Sequence, residues 1–372
     1  MRVSIDATPL LLRSAGVKTY VYYWTRYLQA AAGSDTLKLF PFIDPARLPE
    51  GCVHERSVLG RWQTMARLAL LHAANRSPIP ILNAPGARLD LFHASHQLLR
   101  PPRNTRITAT LYDMTCWLAP ETHTADNVSM AKRFAQKVLA RADGMIAISE
   151  STRADTVRIL GLKPERIEVI YPGVAEPFFG AAPVRRAKPY ILFVGTVEPR
   201  KNLSLLLDAY RRLPPSLREE YDLLVAGPAG WGDTSVIKRL RSGEPGVYYL
   251  GYVPEAELPA LTAAATVFAY PSLYEGFGLP LAQAMAASVP SITSNVSSLP
   301  EVAGGGALLV DPHSVAELGA ALQRVLLSPT LRAELSAAGA RRAKEYRWEV
   351  CAQKSWRFFK RLCYSHSTAS MP

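Results

Sequence analysis

Cysteine is scarce in this sequence: four residues in 372, Cys52, Cys116, Cys351 and Cys363, with no Cys-x-x-Cys spacing. That excludes a disulfide framework and a cysteine zinc site, and the thiols read as the reduced ones of a cytosolic chain. No uncharged apolar run approaches the ~20 residues that a membrane span needs. The amino terminus, MRVSIDATPLLL, puts Asp6 where a secretory leader would keep an apolar core, so no leader is expected. Zinc-finger spacing, an RNP-like aromatic strand and basic repeats are all missing, which weakens any case for sequence-specific nucleic-acid binding. No Gly-x-Gly-x-x-Gly follows the first strand, against a dinucleotide oxidoreductase. No Asp-x-Asp pair follows a strand, so nothing suggests a metal-bridged diphosphate. His93 and His96, in FHASHQ, have the spacing of two metal ligands but no evident third, and no metal is expected.

Acidic residues are also in the minority. The net charge is +12, with +8 on residues 1–172 and +4 on the remainder. Such an excess favours an anionic partner: phosphates, nucleic acid or an acidic membrane face. An apolar content of 48% is ample for two cores, and the length suits two domains. Short apolar runs (RVSIDA, KLFPFI, LDLFHAS, RITATLYD, GMIAIS) alternate with helix-like stretches, which predicts a parallel sheet in an α/β layer structure. The alternation halts in a segment rich in Pro, Gly and Ala and restarts at YILFVGT. We therefore expect a first domain over 1–174, a linker over 175–188, a second domain over 189–346, a helix over 347–364 and a disordered tail over 365–372. In the helix, Trp348, Cys351, Trp356, Phe359 and Leu362 form the apolar face.

Two strand-to-helix turns in the second domain carry chemistry. In FVGTVEPRKNL, Arg200 and Lys201 stand just ahead of Asn202, a good N-cap for the helix that Leu203, Leu206, Leu207 and Tyr210 would pack. Two cations beside free helix N–H groups can clamp a diphosphate; the plainer reading is a solvated charge pair. In YEGFGLPLAQAMA, Glu275, Gly276 and Gly278 precede Pro280, which suits the first turn of a helix. Glycines there let a ligand reach bare backbone N–H groups, although they also serve a tight turn. Both turns follow strands of one parallel sheet, where ligands collect.

GTVEPRKNL, YPSLYEGFGLPLAQAMA and SNVSSLPEVAGGGALLVDP closely resemble glycosyltransferase family 4, retaining sugar transferases of the GT-B fold. IDATPLLLRSAGVKTYVYYW, ITATLYDMTCWLAPE and IAISESTRADTVRILGLKPERIEVIYPGV extend the resemblance to most of the chain. It implies two Rossmann-like domains facing a cleft, with the last helix returning to the first domain. It also implies that Arg200 and Lys201 bind the nucleotide diphosphate and that Glu275 contacts the transferred sugar. Gly276, Phe277, Gly278 and Leu279 would line sugar and phosphate, Gly251, Tyr252 and Val253 would flank the nucleobase, and Gly16 would reach the donor from the first domain.

Three positions depart from the family pattern. Gln283 stands where a second Glu normally holds the ribose; a neutral acceptor in place of a charged one loses about 1 kcal/mol. Tyr112-Asp113 replaces His-Asp on the acceptor side, and a phenol is a poor base near neutral pH, so a general-base role passes to Asp113 or to no side chain. Thr196 replaces an Arg, leaving Arg200 to supply that charge. His93 reads as a residue lining the cleft, and Glu301 as a capping-box partner of Ser298.

Residues 55–76 mix Arg56, Arg61, Arg67 and Arg76 with Val58, Leu59, Trp62, Met65, Leu68, Ala69 and Leu71. Such a helix can lie on an anionic membrane, or pack Leu and Trp on a sheet. The expected activity is transfer of a hexose, mannose from GDP-mannose favoured, to a glycan or lipid-linked glycan acceptor. It would run without cofactor or metal, on the cytoplasmic side. A nucleotide-sugar 2-epimerase of the same fold and a non-enzymatic nucleic-acid binder are the alternatives.

Overall fold

A computed structural model describes residues 1–12, 16–49, 51–52, 56–76, 89–95, 97–230 and 234–364; His96 and the tail at 365–372 lie outside them. In chain order the elements are β1 (Arg2–Asp6), α1 (Gly16–Ala30), β2 (Thr36–Phe40), α2 (Arg61–Arg76), β3 (Leu91–Ala94), β4 (Arg106–Leu111), α3 (Thr115–Leu118), α4 (Ala125–Lys137), β5 (Gly144–Ala147), α5 (Glu150–Leu160) and β6 (Ile167–Val169). Then come β7 (Tyr190–Val194), α6 (Leu203–Arg211), α7 (Pro215–Glu220), β8 (Asp222–Ala226), α8 (Thr234–Arg241), β9 (Val247–Gly251), α9 (Leu258–Ala263) and β10 (Val267–Tyr270). The chain continues through α10 (Leu279–Ala286), β11 (Ser291–Ser294), α11 (Leu299–Ala303), β12 (Ala307–Val310), α12 (Val315–Leu327) and α13 (Pro329–Ala343) to α14 (Trp348–Tyr364).

Two compact units result. One joins Met1–Gly173 to Trp348–Pro372, and the other is Val174–Arg347. Each holds a six-stranded sheet, ordered β2-β1-β3-β4-β5-β6 in the first and β12-β11-β10-β7-β8-β9 in the second. Every strand pairing is parallel. The strands are short and their central members, LFHA and GMIA in one sheet and VFAY and SITS in the other, are buried throughout. Helices on both faces leave such strands no wet side, which is why GMIA and VFAY read as apolar runs and not as alternation, while the Ser and Thr of SITS are buried with it.

In the first unit Phe92, Ala109, Leu111, Met145, Phe134 and Val138 form the core beneath α4. The other face is closed by α1 and α14. The Trp24 indole donates to Ser355 Oγ (2.9 Å) and the Trp356 indole to the Leu28 carbonyl (3.0 Å). Trp348, Cys351, Trp356 and Phe359 point inward as their spacing predicts, while Leu362 is half-buried. Gly173 approaches α14 so closely that a Cβ there would sit 2.2 Å from the Trp348 nitrogen; only glycine fits. One residue on, the Val174 N–H donates to the Tyr346 carbonyl (3.0 Å). Residues 175–188 run along the second unit: Ala175 and Phe178 are buried, and the Val184 N–H donates to the Ala260 carbonyl (3.2 Å).

The indole of Trp356 supplies both apolar area and a hydrogen bond to the α1–α14 packing. Trp356→Ala should cost about 3–5 kcal/mol. Hydrogen exchange should register it as lost protection across α1 and α14, with α6 in the other unit unchanged.

Candidate functional site

The carboxyl ends of β7, β10 and β11 open into three loops that are tied to one another. After β7, Pro199–Lys201 make a single helical turn before α6. After β10 the chain runs through Glu275 to Gly278, whose φ of +93° starts α10. A Cβ at Gly278 would lie 2.8 Å from Leu299 Cδ2. That torsion and that crowding together require glycine. The Leu273 N–H donates to the Arg200 carbonyl (2.9 Å), joining the first two loops. The Glu275 N–H donates to Ser297 Oγ (3.0 Å), and Ser298 Oγ donates to the Glu275 carbonyl (2.9 Å), joining the third.

These ties aim charged side chains at one point. Lys201 Nζ donates to Glu275 Oε1 (2.6 Å) and to the Tyr270 phenol (2.7 Å), which itself donates to Glu275 Oε1 (2.8 Å). Arg200 donates to Glu275 Oε2 (2.8 Å), to Glu198 Oε1 (2.7 Å) and to the Tyr274 carbonyl (2.9 Å). Glu198, Lys201, Tyr270 and Glu275 are all buried. Burial alone would push the Glu275 carboxyl up; Lys201 and Arg200 beside it reverse this and hold it at about 2. Burial, with Arg200 adding to it, draws the Lys201 ammonium below its ordinary value against the pull of Glu275. Burial and then Glu275 push the Tyr270 phenol well up, so it stays a neutral donor.

Thr196 is half-buried just beyond β7, and Gly251, Tyr252 and Val253 are half-buried where β9 ends. Gln283 is half-buried on α10, and its side-chain amide makes no hydrogen bond among the described residues. Phe277 corrects an expectation. Its ring is buried edge-on against Tyr346, with centroids 5.2 Å apart, so only its backbone can line a ligand. Asn202 and Ser298 do not cap helices. Asn202 sits at φ +57° and its amide donates to the carbonyls of Pro271 (3.0 Å) and Pro312 (2.7 Å). The Ser298 hydroxyl is spent on Glu275, so Glu301 has no capping box to complete.

In the first unit, Gly16 is exposed at the start of α1, and Tyr112 and Asp113 follow β4. Asp113 Oδ1 accepts from the Thr115 N–H (3.0 Å) and hydroxyl (2.6 Å). The Tyr112 ring meets Tyr20 edge-on, and burial raises its phenol above the ordinary value. His93 is not a lining residue. It is fully buried on β3, between Trp24 and Phe359, with Nδ1 bonded to Thr108 Oγ1 and Nε2 to Thr110 Oγ1, both at 2.9 Å. Burial lowers it to about 3, so it is a neutral core histidine.

Sequence reasoning missed Glu198, Tyr270, Ser297 and Ser298. Their roles arise from loop contacts that no local pattern encodes. Among the described residues no group of three or more His, Cys, Asp or Glu could hold a metal ion.

Known proteins resemble this chain over most of its length. The family model described as Glycosyl transferases group 1 matches residues 176–342, and the one described as Glycosyltransferase Family 4 matches residues 14–176. The O-antigen chain mannosyltransferase B of Escherichia coli is 32% identical, over 97% of this chain and all of that protein. The serotype-specific mannosyltransferase WbdA of Escherichia coli is 29% identical over 60% of this chain and 29% of its own length. Among solved structures, sucrose-phosphate synthase of Thermosynechococcus elongatus superposes with a TM-score of 0.74 at 21% identity, covering 98% of this chain and 100% of that one. Anabaena HepE in complex with UDP-glucose gives 0.69 at 18% identity, covering 96% and 99%. Both fix the fold as GT-B.

The low position of Glu275 makes stability depend on acid. A carboxyl held at about 2 when folded, against 4.5 ordinarily, stabilises fully above pH 4.5 and loses that stabilisation as pH falls towards 2. The second unit should lose roughly 3 kcal/mol over that window. Glu275→Gln should flatten this dependence while lowering stability at pH 7, because the buried Lys201 ammonium loses its counter-charge and Arg200 keeps only Glu198. Urea midpoints for both proteins at pH 7, 5 and 3 would check the pair of effects.

Proposed function

This chain belongs to glycosyltransferase family 4, and from that premise we propose that it moves mannose from GDP-mannose, with retention, onto a hydroxyl of a glycan or lipid-linked glycan. That it is a hexosyltransferase follows from the family and from its mannosyltransferase relatives. The choice of mannose rests on those relatives' names, and the choice of GDP on the GTVEPRKN turn. The observation that carries the site assignment is Glu275, buried and charged between Arg200 and Lys201 where β7 and β10 end.

On this reading the two cations exchange part of their hold on Glu275 for the donor's diphosphate, with the N–H groups at the start of α10 adding to them. The bond from the anomeric carbon to the diphosphate oxygen breaks, and its electron pair leaves on the diphosphate. Arg200 and Lys201 are already in place to take that charge, with no metal ion in the scheme, so little reorganisation is needed. Glu275, freed on one side, faces the positive charge growing on the sugar. The acceptor oxygen bonds to the anomeric carbon, and its proton passes to the Asp113 carboxylate. Gln283 takes the ribose.

We further propose that the first unit rests on an anionic membrane on the cytoplasmic side. Helix α2 carries Arg61, Arg67 and Arg76 and no acidic residue. It buries Leu71 and Ala74 and leaves Trp62 79% and Met65 52% exposed, beside Phe42 at 71%. The Trp therefore does not pack on the sheet, and Arg67 donates to the Phe42 carbonyl (3.1 Å), drawing the two segments together. Aromatic rings amid arginines suit a headgroup layer. Among the described residues no helix is long and apolar enough to cross a membrane.

Glu275→Gln should lower turnover ~100-fold or more with little change in donor affinity, since the charge acts on the transition state. Gln283→Glu should leave turnover alone and shift donor affinity by less than about tenfold. Donor saturation curves for both variants test the orientation; the opposite pattern would reverse it. Flotation with vesicles containing phosphatidylglycerol should carry the wild type up, and Trp62→Ala with Arg61→Glu should leave it at the bottom. Equal binding to neutral vesicles would defeat the membrane proposal.

A further inference from the structure

The residue that follows β4 with a carboxylate, Asp113, is the end of a chain of hydrogen bonds that begins ten residues later. Thr115, fully buried at the start of α3, gives both its N–H and its hydroxyl proton to Asp113 Oδ1, at 3.0 and 2.6 Å. The same hydroxyl oxygen lies 2.8 Å from His123 Nε2. A threonine hydroxyl has one proton, and here it is committed to the carboxylate. His123 must then supply the proton of its own bond from Nε2, so that the neutral form of its ring is the Nε2–H tautomer.

His123 is held for this. Its N–H donates to the Pro120 carbonyl (3.1 Å), and the hydroxyl of Thr122 ties the same turn to the Ala119 carbonyl (2.7 Å). The turn itself is a single helical turn over Pro120–Thr122. The effect on Asp113 is directional. Two donors converge on Oδ1 and fix the carboxylate plane, while Oδ2 has no partner among the described residues and the residue is half-buried. One oxygen is spent on structure and the other is presented.

We propose that Thr115 and His123 are positioning residues of the acceptor side: the relay from His123 through Thr115 locks Asp113 so that Oδ2 meets the hydroxyl that attacks the donor. This deepens the proposed function and rests on its assignment of Asp113. Such aiming matters because small misplacements of a reacting group are costly.

The test has two arms. In long-range proton–nitrogen spectra the neutral His123 ring should be the Nε2–H tautomer, with a slowly exchanging Nε2 proton that Thr115→Val removes. Transfer from GDP-mannose to decyl α-mannoside forms the second arm. Thr115→Val and His123→Leu should each lower kcat about tenfold or more with the donor KM unchanged. Thr115→Ser keeps the hydroxyl and His123→Gln keeps an N–H donor, so both should stay within about threefold of wild type. An Nδ1–H tautomer would overturn the relay. So would Thr115→Val and His123→Leu at the wild-type rate while Asp113→Asn is slow. If Asp113→Asn itself transfers at the wild-type rate, the underlying assignment of Asp113 fails, and the relay has nothing to aim.

Discussion

Taking the Glu275 carboxylate out of water costs several kcal/mol unless cations and donors meet it, and the loops at the carboxyl edge of the second sheet are shaped by that requirement. Lys201 and Arg200 must come from the turn after β7, Tyr270 from the tip of β10, and the backbone of Glu275 must be pinned by Ser297 and Ser298 beyond β11. Asn202 leaves the helical region altogether so that its amide can span two further loops. A hydrophobic cluster of similar volume would serve stability at least as well. What the ionic cluster adds is a pair of cations held by a partner that a diphosphate can replace.

The sequence disclosed this architecture unevenly. The alternation of apolar runs and helical stretches was enough to read two parallel α/β units, because a strand covered on both faces leaves a continuous apolar signature. The glycine before Pro280 and the cations at 200 and 201 were legible for the same reason: their function is local, a turn and a helix start. Asn202 and Ser298 misled because capping is also a local rule, and tertiary partners outbid it. His93 misled because a histidine at the end of a parallel strand is commonly a site residue. Here the face it occupies is sealed by α14, some 260 positions later in the chain, and no window of sequence contains that. Tyr270 was silent for the opposite reason, since an aromatic residue in a buried strand looks like core until its hydroxyl is followed.

The two carboxylates of the proposed reaction are held by opposite means. Glu275 is buried and surrounded by charge, so its environment decides its ionisation. Asp113 is half-exposed and held by neutral donors, so its environment decides its orientation. That division matches what each is asked to do, one to meet a developing positive charge and the other to receive a proton from an incoming hydroxyl.

The first unit is discontinuous, and this has a consequence for how the protein is made. Everything needed to finish the second unit has been synthesised by Arg347, whereas the first unit lacks α14 until the last described residues emerge. At ribosomal speeds of roughly 5–20 residues per second, the interval between Gly173 and Trp348 is about 10–35 s. During it the faces of Trp24, Tyr20 and Leu28 that α14 will cover are open to water. The nascent chain therefore passes through a period in which its earlier half is sticky while the second unit is still being made. Demand for a holding chaperone should peak over that interval and end abruptly when the final helix arrives.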